Sequence, residues 1–292
     1  MTAREWLRKY SSIFQQGGID EAEDEVVVLL CHALRLGKAQ IFAQPERILT
    51  GGELTLLEGL TALRLHREPS AYITGHKEFY GIDLFVDPRV LIPRPETEVL
   101  AEAAIEFGRS WVALNQRRML AADIGTGSGA IAIALAAHIT EALVYAVDIS
   151  VDALHVATIN VNRHSLYGRI IVEQGDLLEK INQKMDLIVA NLPYIKHGEL
   201  AVLQSEIYLH EPLTALDGGD SGTAVVEALL AQVAGKMAAG GALFFEIGAG
   251  QDERLIPIVR DRLPGSDIDL IKDLAGIGRC IRITNAVRPV RP

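Results

Sequence analysis

The sequence predicts an α/β chain: a seven-stranded, mostly parallel sheet with helices on both faces, preceded by a small helical domain and a β-hairpin linker. Three observations carry this. Beyond residue 95, short runs rich in Val, Ile and Leu alternate with stretches of helical periodicity, the pattern of parallel strands buried on both faces. Before residue 67, apolar residues recur at helical spacing, as in Val26 to Leu30 and in Leu54, Leu57, Leu60 and Leu63, with breaks at Gly17-Gly18, Pro45 and Gly51-Gly52. Between these regions, residues 78–86 alternate as a strand or two, and Pro88, Pro93 and Pro95 then stiffen the chain and remove ladder donors. The expected organisation is a helical domain over 1–75, a hairpin linker over 76–95 and the sheet domain over 96–292.

Within the sheet domain, strands are expected at 120–124, 143–149, 170–174, 186–190, 242–247, 268–272 and 280–284. Helices are expected at 98–107, 130–137, 151–161, 223–237 and 252–262. The last two strands are joined by residues 273–279 only, too few for a helical crossover, so they pair antiparallel near one edge of the sheet.

Composition narrows the class. With 292 residues the chain can bury a core without a disulfide or metal staple. Its 49% apolar residues are spread out, with no uninterrupted run long enough to span a membrane. The opening residues lack the basic-then-apolar layout of a signal peptide, which predicts a cytoplasmic protein. A net charge of −10 opposes a generic nucleic-acid binder, since phosphate neutralisation needs clustered Lys and Arg. Arg117-Arg118 and the Arg288 to Arg291 stretch are small basic exceptions, expected on a solvated loop and a tail. Cys31 and Cys280 lie far apart without a CxxC partner and are expected as buried thiols. The eight histidines are scattered, so no metal site is expected.

Two segments carry chemistry. The first is Ala122-Asp123-Ile124-Gly125-Thr126-Gly127-Ser128-Gly129-Ala130, where a strand turns into a helix and glycines let the backbone bend and a ligand approach. Gly125, Gly127 and Ala130 also satisfy the dinucleotide fingerprint, and Asp148 closes the next strand where a ribose-binding acid belongs. Taken alone, the loop fits a dinucleotide, S-adenosyl-L-methionine, or mere helix–sheet packing. Asp148 fits a ribose diol or a helix cap near Val151. Asp123 favours a cofactor carrying a cation, because a carboxylate before the loop repels a pyrophosphate. Asp176 is placed to accept from an adenine amino group with Leu177 against the ring; the alternative is a turn residue.

The second segment is Asn191-Leu192-Pro193-Tyr194, at the end of the fourth strand. A planar amino nitrogen has a delocalised lone pair and attacks a methyl sulfonium poorly. Acceptors on its two N–H bonds hold it in register and favour the charge that develops on it. The Asn191 side-chain oxygen and the Leu192 carbonyl are suitable acceptors, Tyr194 offers a ring to a planar group, and Pro193 keeps the loop stiff. A plain strand-to-loop turn is the alternative, since Asn and Pro both favour turns.

This tetrapeptide resembles the Asn-Pro-Pro-Tyr motif of amino-group methyltransferases. With Tyr72 to Gly75, Glu78 to Gly81, Leu91 to Glu98, Glu211-Pro212 and Glu246-Ile247-Gly248, the chain resembles the HemK/PrmC family, which methylates the glutamine of the Gly-Gly-Gln motif in bacterial peptide-chain release factors. The resemblance implies a Rossmann-like methyltransferase sheet that uses S-adenosyl-L-methionine and yields S-adenosyl-L-homocysteine. It implies cofactor contacts from Asp123, Gly125, Thr126, Gly127, Ser128, Gly129, Asp148, Ile149, Asp176, Leu177 and Asn191. It also implies substrate contacts from Asn191, Leu192, Pro193 and Tyr194, an N-terminal domain that recognises a class I release factor, and no direct nucleic-acid or membrane partner. Arg94 or Thr97 is then placed to touch the cofactor carboxylate or to cover the site, with a rigid interdomain linker as the alternative, and Glu246 orders the site from behind. Leu192 stands where the family usually has proline, which leaves the carbonyl in place but loosens the loop. The competing chemistry is methylation of an adenine or guanine amino group, and a competing class is a dinucleotide-binding dehydrogenase.

Overall fold

The computed structural model describes residues 1–285. The chain forms two compact units, one of Met1–His76 with Gln204–His210, the other of Lys77–Leu203 with the chain from Glu211 onward.

The first unit is helical: α1 Ala3–Gln16, α2 Ala22–Leu34, α3 Lys38–Ala43, α4 Gly51–Leu65 and α5 Ser70–Thr74. Thr2 with Glu5 and Thr50 with Glu53 close reciprocal capping boxes that satisfy the first free N–H groups of α1 and α4. Gly51 and Gly52, expected as a break, are therefore the first two residues of α4; the break is the extended Thr50 cap before them. Trp6, Phe14, Leu29, Leu30 and Leu57 form the centre of the core. Residues 204–210, which include α9 Ser205–His210, join this unit through Glu206. Its carboxylate accepts from Arg64 at 3.1 Å and Arg67 at 3.0 Å, while Arg64, itself buried, also pairs with Glu25 at 2.8 Å.

The second unit opens with the hairpin of β1 Lys77–Phe79 and β2 Ile82–Leu84. Tyr80 and Gly81 both take positive φ (52° and 74°), the two-residue turn whose twist matches the strands it joins. Then come α6 Thr97–Asn115, β3 Met119–Ile124, α7 Ala130–His138, β4 Ala142–Asp148, α8 Val151–Arg163, β5 Ile170–Gln174 and β6 Met185–Ala190. After the segment 191–223 follow α10 Ala224–Val233, β7 Met237–Glu246, α11 Asp252–Arg262, β8 Asp267–Lys272 and β9 Gly278–Thr284. The sheet order is β5-β4-β3-β6-β7-β9-β8, and among the described residues β9 alone runs antiparallel. It lies between β7 and β8, and its antiparallel pairing with β8 is what the short connection between them requires.

Strand periodicity sorts the core onto two faces. Leu187, Val189 and Phe244 pack with α6 and α7, while Ile188, Ala190, Leu243 and Phe245 pack with α10 and α11. Burial on both sides explains why β6 reads as an unbroken apolar run from Leu187 to Ala190.

Several boundaries differ from expectation. The helix expected to run to 237 ends at Val233, because Met237 instead pairs with Met185 and extends β7; the Ala-rich run there has helical propensity that strand pairing overrides. The helix expected at 98–107 continues to Asn115, with Trp111 buried against the core. Arg117 is not merely solvated. It forks onto the buried Asp186 carboxylate (2.7 and 3.0 Å) and lies over the Trp111 ring, so it serves folding. Arg288 to Arg291 lie outside the described residues. Cys280 is buried, but Cys31 is partly exposed.

Candidate active site

Strand order reverses beside β3, whose sequence neighbour β4 lies on one side and β6 on the other. Ile124 pairs with Ala190 in register, so the glycine loop and Asn191 leave the sheet side by side at the carboxyl ends of adjacent strands. This is the crevice where open parallel sheets bind ligands. A cavity of about 800 Å³ occupies it. Its wall includes Gly125, Thr126, Gly127, Ser128, Asp148, Ile149, Asp176, Leu177, Asn191, Leu192 and Pro193. Most residues singled out in the sequence are thus brought together.

Asp123 and Gly129 are the exceptions on the cofactor side, since neither lines the cavity. Gly129, at φ 84°, packs toward Ala157 and Ile133 instead. Asp123 is 0% exposed and sits beneath the loop, where Oδ2 accepts from the Thr126 hydroxyl (2.6 Å) and the Ala132 N–H (2.9 Å). Its other oxygen is buried without a partner among the described residues. Burial pushes the carboxyl up to about 7, against the pull of those two donors. The sign of the linkage follows. An unfolded aspartate titrates near ~3.9, so between there and about 7 the folded chain binds the extra proton. The contribution to stability is full below about pH 4 and is lost as pH rises through 7. Asp123→Asn stays neutral throughout, so urea unfolding at pH 5 and pH 8 should show the wild type losing on the order of 2–4 kcal/mol more than the variant.

Asp148 both shapes and lines the site. Oδ2 accepts from Gly127 N–H and Oδ1 from Ser150 N–H, each at 2.9 Å, and burial raises its carboxyl despite these bonds. The cap of α8 is supplied by the Ser150 hydroxyl, which accepts from Ala153 N–H at 3.2 Å, so Asp148 is not spent on capping. Gly127, at φ 54°, has open space where a Cβ would stand. Leu177 takes a positive φ of 51°, uncommon for a branched side chain, on the cavity wall beside Asp176. Ile149, expected as the last residue of this strand, follows its end at Asp148 and is mostly exposed at the rim.

Asn191 Nδ2 donates to Thr97 Oγ1 at 3.0 Å, leaving the amide oxygen as its remaining polar end. Leu192 is buried. Its Cδ2 would stand 2.9 Å from a Cβ on Gly125, so the glycine admits the leucine beside the loop. Tyr194 does not line the cavity; burial followed by the nearby Glu246 charge pushes its phenol up. Glu246 is 2% exposed and raised by burial, with the Thr97 and Tyr194 hydroxyls pulling it back.

Three residues that hold the site were missing or unassigned in the sequence reading. Asn160, fully buried in α8, donates to the carbonyls of Phe85 (2.8 Å) and Ser128 (2.9 Å) and accepts from Phe85 N–H (2.7 Å), tying the loop to the segment after β2. A polar residue on the apolar face of an otherwise regular helix was its signal. Gln251 Nε2 donates to the carbonyls of Tyr194 (2.8 Å) and Gly222 (3.1 Å), fixing the motif from its exit, with no signal in the sequence. Glu211 is 5% exposed. It accepts from Arg94 at 2.5 Å and from Ile92 N–H at 3.2 Å, joining the two loops whose Leu91, Pro93, Pro212 and Leu213 face the cavity. Burial raises its carboxyl, and Arg94 opposes the rise.

The wall discriminates between the cofactors left open by the glycines. It carries Asp148, Asp176 and Asp217, and its one basic residue among the described residues, Arg89, is spent on Asp87, with 2.5 Å between them at the shortest. Together with the unpartnered Asp123 oxygen, this repels a pyrophosphate and suits a cationic amino acid with a ribose and an adenine.

Residues 5–75 match the PrmC N-terminal domain, and residues 110–219 match the methyltransferase small domain. The release factor glutamine methyltransferase of Koribacter versatilis is 39% identical over 256 residues, covering 87% of this chain and 88% of its own. The chain belongs to the release factor glutamine methyltransferase family. Other members, from Bradyrhizobium diazoefficiens and Geobacter sulfurreducens, are each 36% identical and cover 94% and 95% of this chain and 92% and 93% of their own. Membership makes the chain an S-adenosylmethionine-dependent protein methyltransferase with a protein as its partner. The fold alone is shared with the hMettl16 catalytic domain in complex with MAT2A 3'UTR hairpin 6, at 16% identity and a TM-score of 0.57 over 80% of this chain and 84% of that one. Among the described residues no helix is long and apolar enough to cross a membrane, and no cluster of His, Cys, Asp or Glu is arranged to hold a metal.

Proposed function

We propose that this enzyme methylates the side-chain nitrogen (N5) of the glutamine in the Gly-Gly-Gln motif of class I bacterial peptide-chain release factors, in the cytoplasm, leaving S-adenosyl-L-homocysteine. The observation that carries it is Asn191 on the wall of the cavity shared with the glycine loop, its NH2 end spent on Thr97 and its oxygen available. Bound in that cavity, S-adenosyl-L-methionine supplies an electrophilic methyl group.

The chain's own residues do the positioning. Gly125 to Gly129 admit the cofactor closely, with Asp123 beneath them, Asp148 at the ribose, Ile149 at the rim, and Asp176 and Leu177 at the adenine. Asn191 Oδ1 and the Leu192 carbonyl accept from the two N–H groups of the glutamine amide and stabilise the positive charge that grows as its C–N bond forms. One proton then leaves to water. Pro193 and Gln251 hold the loop, which offsets the leucine in place of the family's usual proline. Tyr194, off the cavity wall, acts from behind it rather than by stacking on the substrate. Residues 1–75 recognise the release factor, 76–95 link, and 96–292 catalyse.

Incubation with labelled S-adenosyl-L-methionine and a release factor should place the label on the Gly-Gly-Gln glutamine. A folded protein that binds S-adenosyl-L-homocysteine yet labels no glutamine would sink this reading.

A further inference from the structure

Asn160 is not on the cavity wall, yet its amide is committed to two segments that supply that wall. Fully buried on α8, it accepts from Phe85 N–H at 2.7 Å and donates to the Phe85 and Ser128 carbonyls at 2.8 and 2.9 Å. The first two bonds pair it with Phe85 as a residue of a neighbouring strand would. The third ends in the glycine loop. The partners also fix the sense of the amide, since a backbone N–H meets only its oxygen and the carbonyls only its NH2.

We propose that Asn160 is a positioning residue for the cofactor: it holds the 85–93 strap and the glycine loop in fixed register, so that the cavity is shaped before S-adenosyl-L-methionine enters. The inference rests on the cofactor placement proposed above and adds what keeps that site pre-formed.

Beyond Phe85 the strap buries Val86 and Val90 and turns Arg89, Val90, Leu91 and Pro93 to the cavity. It is stiff within itself, because Val90 N–H donates to Asp87 O at 3.1 Å and Arg89 grips the Asp87 carboxylate. A stiff turn is placed by its ends. One end is held by Glu211, which accepts from Ile92 N–H at 3.2 Å, and the other by Asn160. The glycine loop is pinned by Asp148 at Gly127 N–H and by Asn160 at Ser128 O. One side chain therefore sets both segments. Without it, three backbone groups lose their partner, and the cofactor must order loop and strap as it binds. That cost is taken from affinity; once the cofactor is seated, the rate of transfer is kept.

The test compares the full chain as wild type, Asn160→Leu, Asn160→Asp and Val161→Ala. Asn160→Asp keeps the acceptor for Phe85 N–H and loses both donors. Val161→Ala trims a buried neighbour on the same helix and controls for lost stability. Calorimetry with S-adenosyl-L-homocysteine, well below the melting temperatures, should show affinity weakened about ten- to hundredfold in both Asn160 variants and within about twofold of wild type in Val161→Ala, the order of losing one or two buried hydrogen bonds against none. KM for S-adenosyl-L-methionine should rise in step, with kcat at saturating cofactor kept within about threefold. Deuterium exchange over residues 85–93 should be slow in free wild type, fast in the free Asn160 variants and slow again when S-adenosyl-L-homocysteine saturates them. The proposal is overturned if either Asn160 variant binds as tightly as wild type, if Val161→Ala loses as much affinity, if kcat falls as far as affinity, or if 85–93 exchanges freely in unliganded wild type. The last measurement needs no variant, so it decides even where the variants do not fold. Wild type that binds no S-adenosyl-L-homocysteine would instead count against the cofactor placement.

Discussion

Asn191→Ala should lower kcat by about two to three orders of magnitude, the usual effect of removing one polar group aimed at charge that develops in the transition state. Affinity for S-adenosyl-L-homocysteine should change by no more than about threefold, because the glycine loop, Asp148 and Leu177 line the rest of the cavity independently of the amide. Single-turnover methylation of a release factor, beside calorimetry with the product cofactor, separates the two. Equal losses in rate and cofactor affinity would mean that Asn191 belongs chiefly to the cofactor site. The Leu192 carbonyl remains in the variant, so some transfer should persist.

Gly218→Ala is expected to be nearly as damaging, although residue 218 lies 27 positions beyond the asparagine. A Cβ there would stand 2.7 Å from the Gly222 carbonyl oxygen and 2.8 Å from that of Pro193. Both are backbone atoms, so the strain cannot be relieved by turning a side chain. The segment is laced to the motif on either side: Gly218 N–H donates to Ile195 O at 2.8 Å, and Ile195 N–H to Leu216 O at 3.0 Å. The Pro193 carbonyl must therefore give way and carry the Leu192 carbonyl with it. A displacement approaching 1 Å at reacting groups costs on the order of a hundredfold in rate. Steady-state kinetics should show this fall in kcat with the melting temperature lowered only modestly. Gly168→Ala, at a glycine with open space around it, provides the control and should behave as wild type.

The contrast between these two positions shows what could be read in advance. Asn191 announced itself, because an amide, a proline and a phenol directly after the apolar run 187–190 have no reason to be there in a buried element. Gly218 did not. Its importance comes from the approach of Pro193 O, a contact created when the chain after β6 returns past its own motif. Asp123 and Asp148 differ in the same way. Each ends or nearly ends a parallel strand and reads alike in sequence, yet one side chain is fully enclosed beneath the loop and the other lines the cavity. Both fall on the same face, because Asp123 registers with Ala146, but Asp148 stands two residues further along its strand and so reaches the carboxyl end where the crevice opens.

The sequence by itself determined the α/β class, the antiparallel pairing of the last two strands, the glycine loop and the tetrapeptide. Each rests on local spacing: a period of two or 3.6, a connection too short for a helix, or residue types confined to a few neighbours. Tertiary structure alone decided that β3 and β6 lie side by side, so that Gly125 and Asn191 share one crevice. It also decided that Thr97, Asn160 and Glu211 reach partners 94, 75 and 117 residues away. Single hydrogen bonds over such separations leave no periodic trace in the chain, because their donors and acceptors meet only after the sheet has been ordered and its helices packed.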